Sequence, residues 1–281
     1  MGGDEIRYCE DIARRFDRER WLCTLFAPED ARPALLALVA FGVELGRVRE
    51  QAREPHMALV RLQWWRDALA EAKAGAPRAH PVCRALLAPL ARDPLLEPLL
   101  GAMVDAREKD IEEWPFADLG ELAAYAGSSS GSLAEAMLRA AAPSAAEPAL
   151  AAARGIGGAW ALVGLLRATP HLAAMRRCAL PSAGFARLGI DQEAWFAGRA
   201  GREAAALARD VAQAAEAGFA AVPREAMPRG GGFAVAGLRV LGRMHLRRLA
   251  SAGHDLFDPR VAAPSSLAPM RLSIARLLGS W

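Results

Sequence analysis

Pro33 to Leu69 reads PALLALVAFGVELGRVREQAREPHMALVRLQWWRDAL. The stretch predicts two amphipathic helices joined near Glu54-Pro55, since proline removes a backbone donor and disfavours helix at the residue before it. Within it, Arg61-Leu62-Gln63-Trp64-Trp65-Arg66-Asp67 is dense in large side chains. Trp64 and Trp65 lie ~100° apart around a helix axis, so one is expected in the core and the other at a groove or the surface. Arg61, Arg66 and Asp67 read either as a solvated ion-pair face, worth little, or as buried groups that orient neighbouring helices.

The remaining chain repeats the helical pattern. Of its 281 residues, 53% are apolar and 24% charged, the balance of a folded protein and not a disordered one. Ala, Leu and Arg dominate, Thr occurs only at Thr24 and Thr169, and long Val/Ile/Thr/Tyr alternations are missing. The composition predicts an all-α fold. Helices are expected over Asp4–Leu25, Arg32–Glu54, Met57–Ala74, Glu97–Glu113, Asp118–Ala142, Leu150–Arg167 (broken by Pro170), Asp191–Val222 and Phe233–Ala252, with a last one in the tail after Pro264. Acids in Ala27-Pro28-Glu29-Asp30 are placed to cap the second of these. With no internal repeat and no clear linker, residues 1–281 read as one domain.

A formal charge of +3 is small for this length, and Lys73 and Lys109 are the only lysines. Basic charge is carried by arginines dispersed among acids, which does not favour a nucleic-acid partner. Cys9, Cys23, Cys83 and Cys178 form no C-x-x-C, and no histidines pair at ligand spacing. Isolated buried thiols in a reducing compartment are expected, and no zinc site. Asp4, Glu5 and Arg7 interrupt any signal peptide. The longest uncharged apolar runs, Pro33–Val43 and Gly155–Leu166, are 11 and 12 residues, short of the ~20 a membrane span needs. The expectation is a cytoplasmic protein, with peripheral contact at the inner membrane left open because Arg-rich helices with apolar faces can lie on anionic lipid.

Two short motifs are set aside. Gly127-Ser128-Ser129-Ser130-Gly131 fits the G-x-S-x-G nucleophile pattern, but that chemistry needs a strand before the turn. Here Glu121–Tyr125 is helical, and close packing of small residues is the better reading. Gly155-Ile156-Gly157-Gly158 lacks the strand and the third glycine of a phosphate loop.

Several pieces, in order, resemble the squalene/phytoene synthase family over nearly the whole chain. They are Leu25-Phe26-Ala27-Pro28 with Ala37–Phe41, then Leu62-Gln63-Trp64-Trp65-Arg66, then Leu162–Arg167 running into Leu180-Pro181, and finally Gly253-His254-Asp255-Leu256-Phe257 with Arg260-Val261. The resemblance implies an isoprenoid-synthase helical bundle around a central cavity. It also implies two D-x-x-x-D helices facing each other across the cavity mouth. Carboxylates at i and i+4 share a helix face and can grip Mg²⁺ ions that hold diphosphate oxygens.

The sequence departs from that pattern at both places. The first motif falls on Gly46-Arg47-Val48-Arg49-Glu50, where only Glu50 is acidic. The second falls on Ala168-Thr169-Pro170-His171-Leu172, where both acids are gone, Arg167 remains just before them, and Pro170 is expected to distort the helix. A family Gln/Asn pair is matched by Ala161 and Gly164, and a family tyrosine by Gly127. This combination resembles a divergent branch of the family whose mitochondrial member is an assembly factor for respiratory complex I.

The resemblance therefore implies a non-catalytic protein that binds a protein partner, complex I subunits or assembly factors among them, with no cofactor. Arg47, Arg49, Glu50, Arg53, Arg61, Gln63, Trp64, Trp65, Arg66, Asp67 and Arg167 form the candidate partner or ligand surface. Two alternatives stand beside it. One is an active prenyltransferase using Mg²⁺, with Asp105, Asp110, Glu112 and Glu113 as metal-holding acids. The other is a carrier for a prenyl diphosphate or lipid.

Overall fold

The computed structural model describes residues 3–52, 54–199 and 201–281. In chain order its α-helices are α1 Gly3–Phe16, α2 Arg18–Thr24, α3 Arg32–Gln51, α4 Pro55–Lys73, α5 Pro81–Ala85, α6 Leu87–Arg92, α7 Leu96–Ala106, α8 Leu119–Ala126, α9 Ser132–Ala141, α10 Glu147–Ala174, α11 Ser182–Leu188, α12 Gln192–Phe196, α13 Arg202–Ala220, α14 Phe233–Ser251, α15 Pro259–Ala262 and α16 Ala268–Leu278. A 3₁₀ turn, Arg107–Ile111, follows α7, and a π-turn, Gly127–Gly131, joins α8 to α9. Among the described residues there is no strand. The all-α expectation holds.

Two helices carry the interior. From Leu35 to Phe41 every residue of α3 is buried, and such a helix belongs in a core. It packs on α1, α4 and α9. The other, α10, is enclosed by α9, α13, α14 and the π-turn. Small residues set how closely α10 approaches. A Cβ on Gly157 would strike the Ser130 carbonyl and lie 2.6 Å from Ala134 Cβ and 2.9 Å from Gly131 Cα. The small-residue reading of the G-x-S-x-G stretch is correct, and Gly155–Gly158 lies within a helix and not in a loop.

Several expected boundaries are corrected. Asp17 ends the first predicted helix early and caps α2, its side chain accepting from the Arg20 amide. The acids at Glu29 and Asp30 make no side-chain cap to α3. Pro170 does not break α10, which continues to Ala174; the bond proline forfeits falls in the last turns, where little helix remains to be held. The predicted helix Asp191–Val222 is two helices. Gly198 takes a left-handed backbone (φ 71°) between α12 and α13, which lets Trp195 seat between Phe185 and Phe257.

By length and composition α10, at 28 residues, is apolar enough to cross a membrane, contrary to the expectation from uncharged runs alone. Most of its apolar stretch is buried against neighbouring helices. All four cysteines are buried and unpaired. Burial pushes the Cys83 thiol up to about 11 and those of Cys9 and Cys178 to about 12, far from a reactive thiolate.

Candidate functional site

Between α3 and α10 lies a cavity of about 490 Å³, within the range of small-molecule sites. Gly42, Gly46 and Glu50 line one side; Ala161, Gly164 and Leu165 line the other. Both sets recur at i, i+4 spacing or close to it, so each helix turns one face inward. Arg47, which follows Gly46, and Trp160, which precedes Ala161, also reach the cavity.

The polar lining comprises three arginines (Arg20, Arg47 and Arg107), two acids (Asp17 and Glu50), Tyr125 and two serines. Arg20 donates to Asp17 Oδ2 at 2.5 Å and to the Ser130 hydroxyl. Arg107 donates to Asp110 Oδ2 at 3.0 Å and to the Tyr125 hydroxyl at 2.6 Å, and Tyr125 in turn donates to Asp110 Oδ1 at 2.7 Å. Burial opposes the charge on Arg107, but Tyr125 and Asp110 outweigh it and hold its pKa above the ordinary arginine value. In an adjoining hollow, Arg177 donates to the Asp110 carbonyl, and burial lowers its pKa. The Nε atoms of Arg20 and Arg107 are buried without a partner. Arg47 closes the outer edge, its guanidinium 4.0 Å from the Phe16 ring centroid.

At the mouth, the two helices that face each other touch through Glu50 and His171, with Oε1 and Nε2 3.1 Å apart. Glu50 is the one carboxylate among the four motif positions Gly46, Glu50, Ala168 and Leu172. Where an acid at 46 would project, Arg107 has moved in: its Nη2 lies 3.8 Å from the position of a Cβ on Gly46. Mg²⁺ takes oxygen ligands in near-octahedral geometry, and this donor set does not fit it. Of the acids beyond the motifs, Asp110, Glu112 and Glu113 line a small adjoining hollow with Glu50, and Asp105 lies apart from it. Asp105 pairs with Arg66 at 2.8 Å, Asp110 with Arg107, and Glu112 with Lys109 at 3.3 Å. Among the described residues no group of three or more His, Cys, Asp or Glu side chains is arranged to hold a metal.

The expected surface divides into separate places. Arg47 and Glu50 are at the cavity, and Arg49 turns back to the Ala52 carbonyl at 3.4 Å. Arg61, Gln63 and Trp64 lie on the outer face of α4, with Arg61 donating to Gln51 at 2.9 Å and Gln63 to Asp67 at 2.8 Å. The tryptophans part as expected: Trp65 is 6% exposed against Phe41, and Trp64 is 36% exposed beneath Arg78. Arg66 reaches Asp105 and Glu108, tying α4 to α7 and the 3₁₀ turn. Arg167 is away from the cavity, ion-paired to Glu19 at 2.7 Å. Arg53 lies outside the described residues.

Sequence reasoning did not select Arg20, Arg107, Tyr125, Ser129 or Ser130. The π-turn is what directs the two serines: its extra residue per turn shifts the register between α8 and α9, and Ser129 donates to the Tyr125 carbonyl at 2.6 Å. One signal was present. The chain has two tyrosines, and one of them, Tyr125, lines this cavity with its hydroxyl on Asp110. At Gly127 and Gly164 nothing stands within 4 Å of a Cβ, so both positions have room for a larger side chain.

Comparison with known proteins agrees with this fold. A solved dehydrosqualene synthase superposes with a TM-score of 0.83 at 20% identity, covering 99% of this chain and 98% of that one. A squalene synthase from Alicyclobacillus acidocaldarius gives 0.77 at 17% identity over 90% and 95%. The fold is therefore of the isoprenoid synthase type. Among curated proteins, rat NADH dehydrogenase (ubiquinone) complex I, assembly factor 6 is 28% identical over 279 residues, covering 96% of this chain and 81% of that protein. The squalene/phytoene synthase family model matches residues 13–266. With that match running almost end to end, the chain belongs to the squalene/phytoene synthase family.

Proposed function

We propose that this protein is a non-catalytic member of its family that works by binding a protein partner during assembly of respiratory complex I. The carrying observation is the mouth of the cavity. The two helices that hold metal in a prenyl-joining enzyme here hold each other, through Glu50 and His171, with Arg107 beside Gly46. Allylic diphosphate ionisation needs metal charge on the leaving group, and the residues present do not supply its ligands. The partner role is supported by the likeness to complex I assembly factor 6 across 96% of the chain. It is also supported by the outer face of α4, where Met57, Val60 and Trp64 stand exposed at i, i+3 and i+7.

The test has two arms. Incubation with farnesyl or geranylgeranyl diphosphate and Mg²⁺ is expected to yield no joined product, and product would overturn the non-catalytic reading. In a strain lacking the protein, wild-type chain is expected to restore assembled complex I on native gels; unchanged complex I in the deletion strain would overturn the assembly reading.

One observation favours a second reading, a carrier for a prenyl diphosphate or another anionic lipid. The cavity is open and lined by Arg20 and Arg107, each with an unpartnered buried Nε. Binding that relies on guanidinium raises the melting temperature without Mg²⁺. A shift that appears only with Mg²⁺ would instead point to metal ligands at the mouth.

A further inference from the structure

The arginines that look dispersed in sequence gather at one end of the fold. Arg224, Arg239, Arg243, Arg247 and Arg271 line a concavity of about 320 Å³ together with Trp281, and no Asp or Glu side chain lines it. Arg243 is paired, with Glu216 at 2.7 Å, and Arg224 donates to the Gly279 carbonyl. Arg239 is only 7% exposed; its Nη1 donates to the Val222 carbonyl at 2.8 Å, while its Nε is buried with no partner. Arg247 and Arg271 make no ion pair among the described residues. Self-repelling guanidinium groups around one hollow call for an anion.

Beside the hollow runs an apolar stripe. On α16, Ala268, Leu272 and Ala275 face the bundle. Met270, Ile274, Leu277 and Leu278, preceded by Leu267, face away from it, with Leu277 84% and Leu278 72% exposed. Arg271 sits four residues after Leu267 and three before Ile274, so it borders the stripe while lining the hollow. These side chains form a ridge along the exposed face of α16. Aliphatic side chains on a ridge, flanked by arginines, are the pattern of a helix that lies in a bilayer interface. A nucleic acid has no use for the ridge, whereas an anionic lipid surface offers both an apolar interior for the leucines and phosphates for the arginines beside them.

We propose that α16 and the arginine concavity dock this protein on an anionic membrane surface, the ridge entering the acyl boundary and the arginines taking lipid phosphates. The surface is separate from the cavity and from α4, so the inference stands independently of the function proposed above.

Sedimentation of the full chain with vesicles tests it. The protein is expected to pellet with equimolar phosphatidylcholine–phosphatidylglycerol vesicles, to remain largely in solution with phosphatidylcholine alone, and to be released by salt. Ile274→Ser with Leu277→Ser should weaken partition about tenfold or more per side chain. Arg247→Glu with Arg271→Glu should weaken it about fivefold per charge, on the anionic vesicles only. The changed residues are exposed, so all variants should melt with the wild type. Wild-type protein that stays in solution with the mixed vesicles, or binding that survives both double variants, would overturn the proposal. So would a wild-type dimer that Ile274→Ser with Leu277→Ser converts to monomer, since the ridge would then belong to a second copy.

Discussion

Two glycines in one helix show how differently a single position can be constrained. Gly157 and Gly164 are two turns apart on α10, and composition treats them alike. A Cβ at 157 meets the Ser130 carbonyl and Gly131 Cα, both backbone, so relief requires moving the π-turn. At 164 nothing stands within 4 Å. Gly157→Ala is expected to destabilise by about 3 kcal/mol, the upper end of overpacking penalties. Gly164→Ala should be neutral or stabilise by up to about 1 kcal/mol, the helix-propensity difference. Urea unfolding of both variants checks this; equal midpoints would mean that α10 does not pack on the π-turn as described. Function follows the same geometry. Gly164 is cavity wall with open space before it, whereas Gly157 holds Ser129 and Ser130 in the register that brings them to the cavity.

At the scale of the element, α4 separates two roles that its sequence interleaves. Leu62, Trp65 and Leu69 point inward; Met57, Val60 and Trp64 point outward. Met57→Glu with Val60→Glu should leave the melting temperature within the spread of surface changes, about 0.5 kcal/mol, yet abolish restoration of complex I in the deletion strain. Arg66→Ala should do the reverse: lose up to about 1 kcal/mol, since its pairs with Asp105 and Glu108 are partly exposed, and keep function. Restoration by the double glutamate variant would remove α4 from the partner surface. This division was half legible in the sequence. Adjacent tryptophans on a helix must part, and they do. Which arginines serve structure was not legible, because the acids that claim Arg66 lie about forty residues away in sequence and meet it only when α7 packs against α4. The break between α12 and α13 was hidden for a similar reason: Gly198 looks tolerable in a helix until Phe257 arrives to pack against it. The motif positions were legible because i, i+4 spacing is local; the substitution of Arg107 for a carboxylate was not.

Across the whole molecule, three helices distant in sequence are clamped by one partly buried acid. Glu19 on α2 accepts from Arg167 on α10 at 2.7 Å and sits 2.6 Å from His245 Nε2 on α14. Burial favours the neutral carboxyl, but His245 and Arg167 outweigh it and hold Glu19 below its usual range. For His245 burial wins over the Glu19 hydrogen bond, and its pKa is lowered from 6.5. The geometry agrees: Nδ1 is buried with no partner, so a second ring proton would have nothing to bind, while Nε2–H of the neutral ring donates to Glu19. The sign of the linkage is then the same for both groups. Below 6.5 the unfolded chain takes up a histidine proton that the fold resists, so stability falls as pH falls. It falls further as pH passes below the ordinary glutamate value of 4.5, because the folded state must give up an ionised, paired Glu19. His80 and His254 are lowered by burial too and add to the first step. The melting temperature is therefore expected to be flat above about pH 7 and to decline steadily toward about pH 5. His245→Gln keeps a donor for Glu19 but cannot titrate. It should cost about 1 kcal/mol at neutral pH and make the decline shallower. An equally steep decline in that variant would place the acid sensitivity elsewhere, and leave Glu19, Arg167 and His245 as a clamp that holds the bundle without sensing protons.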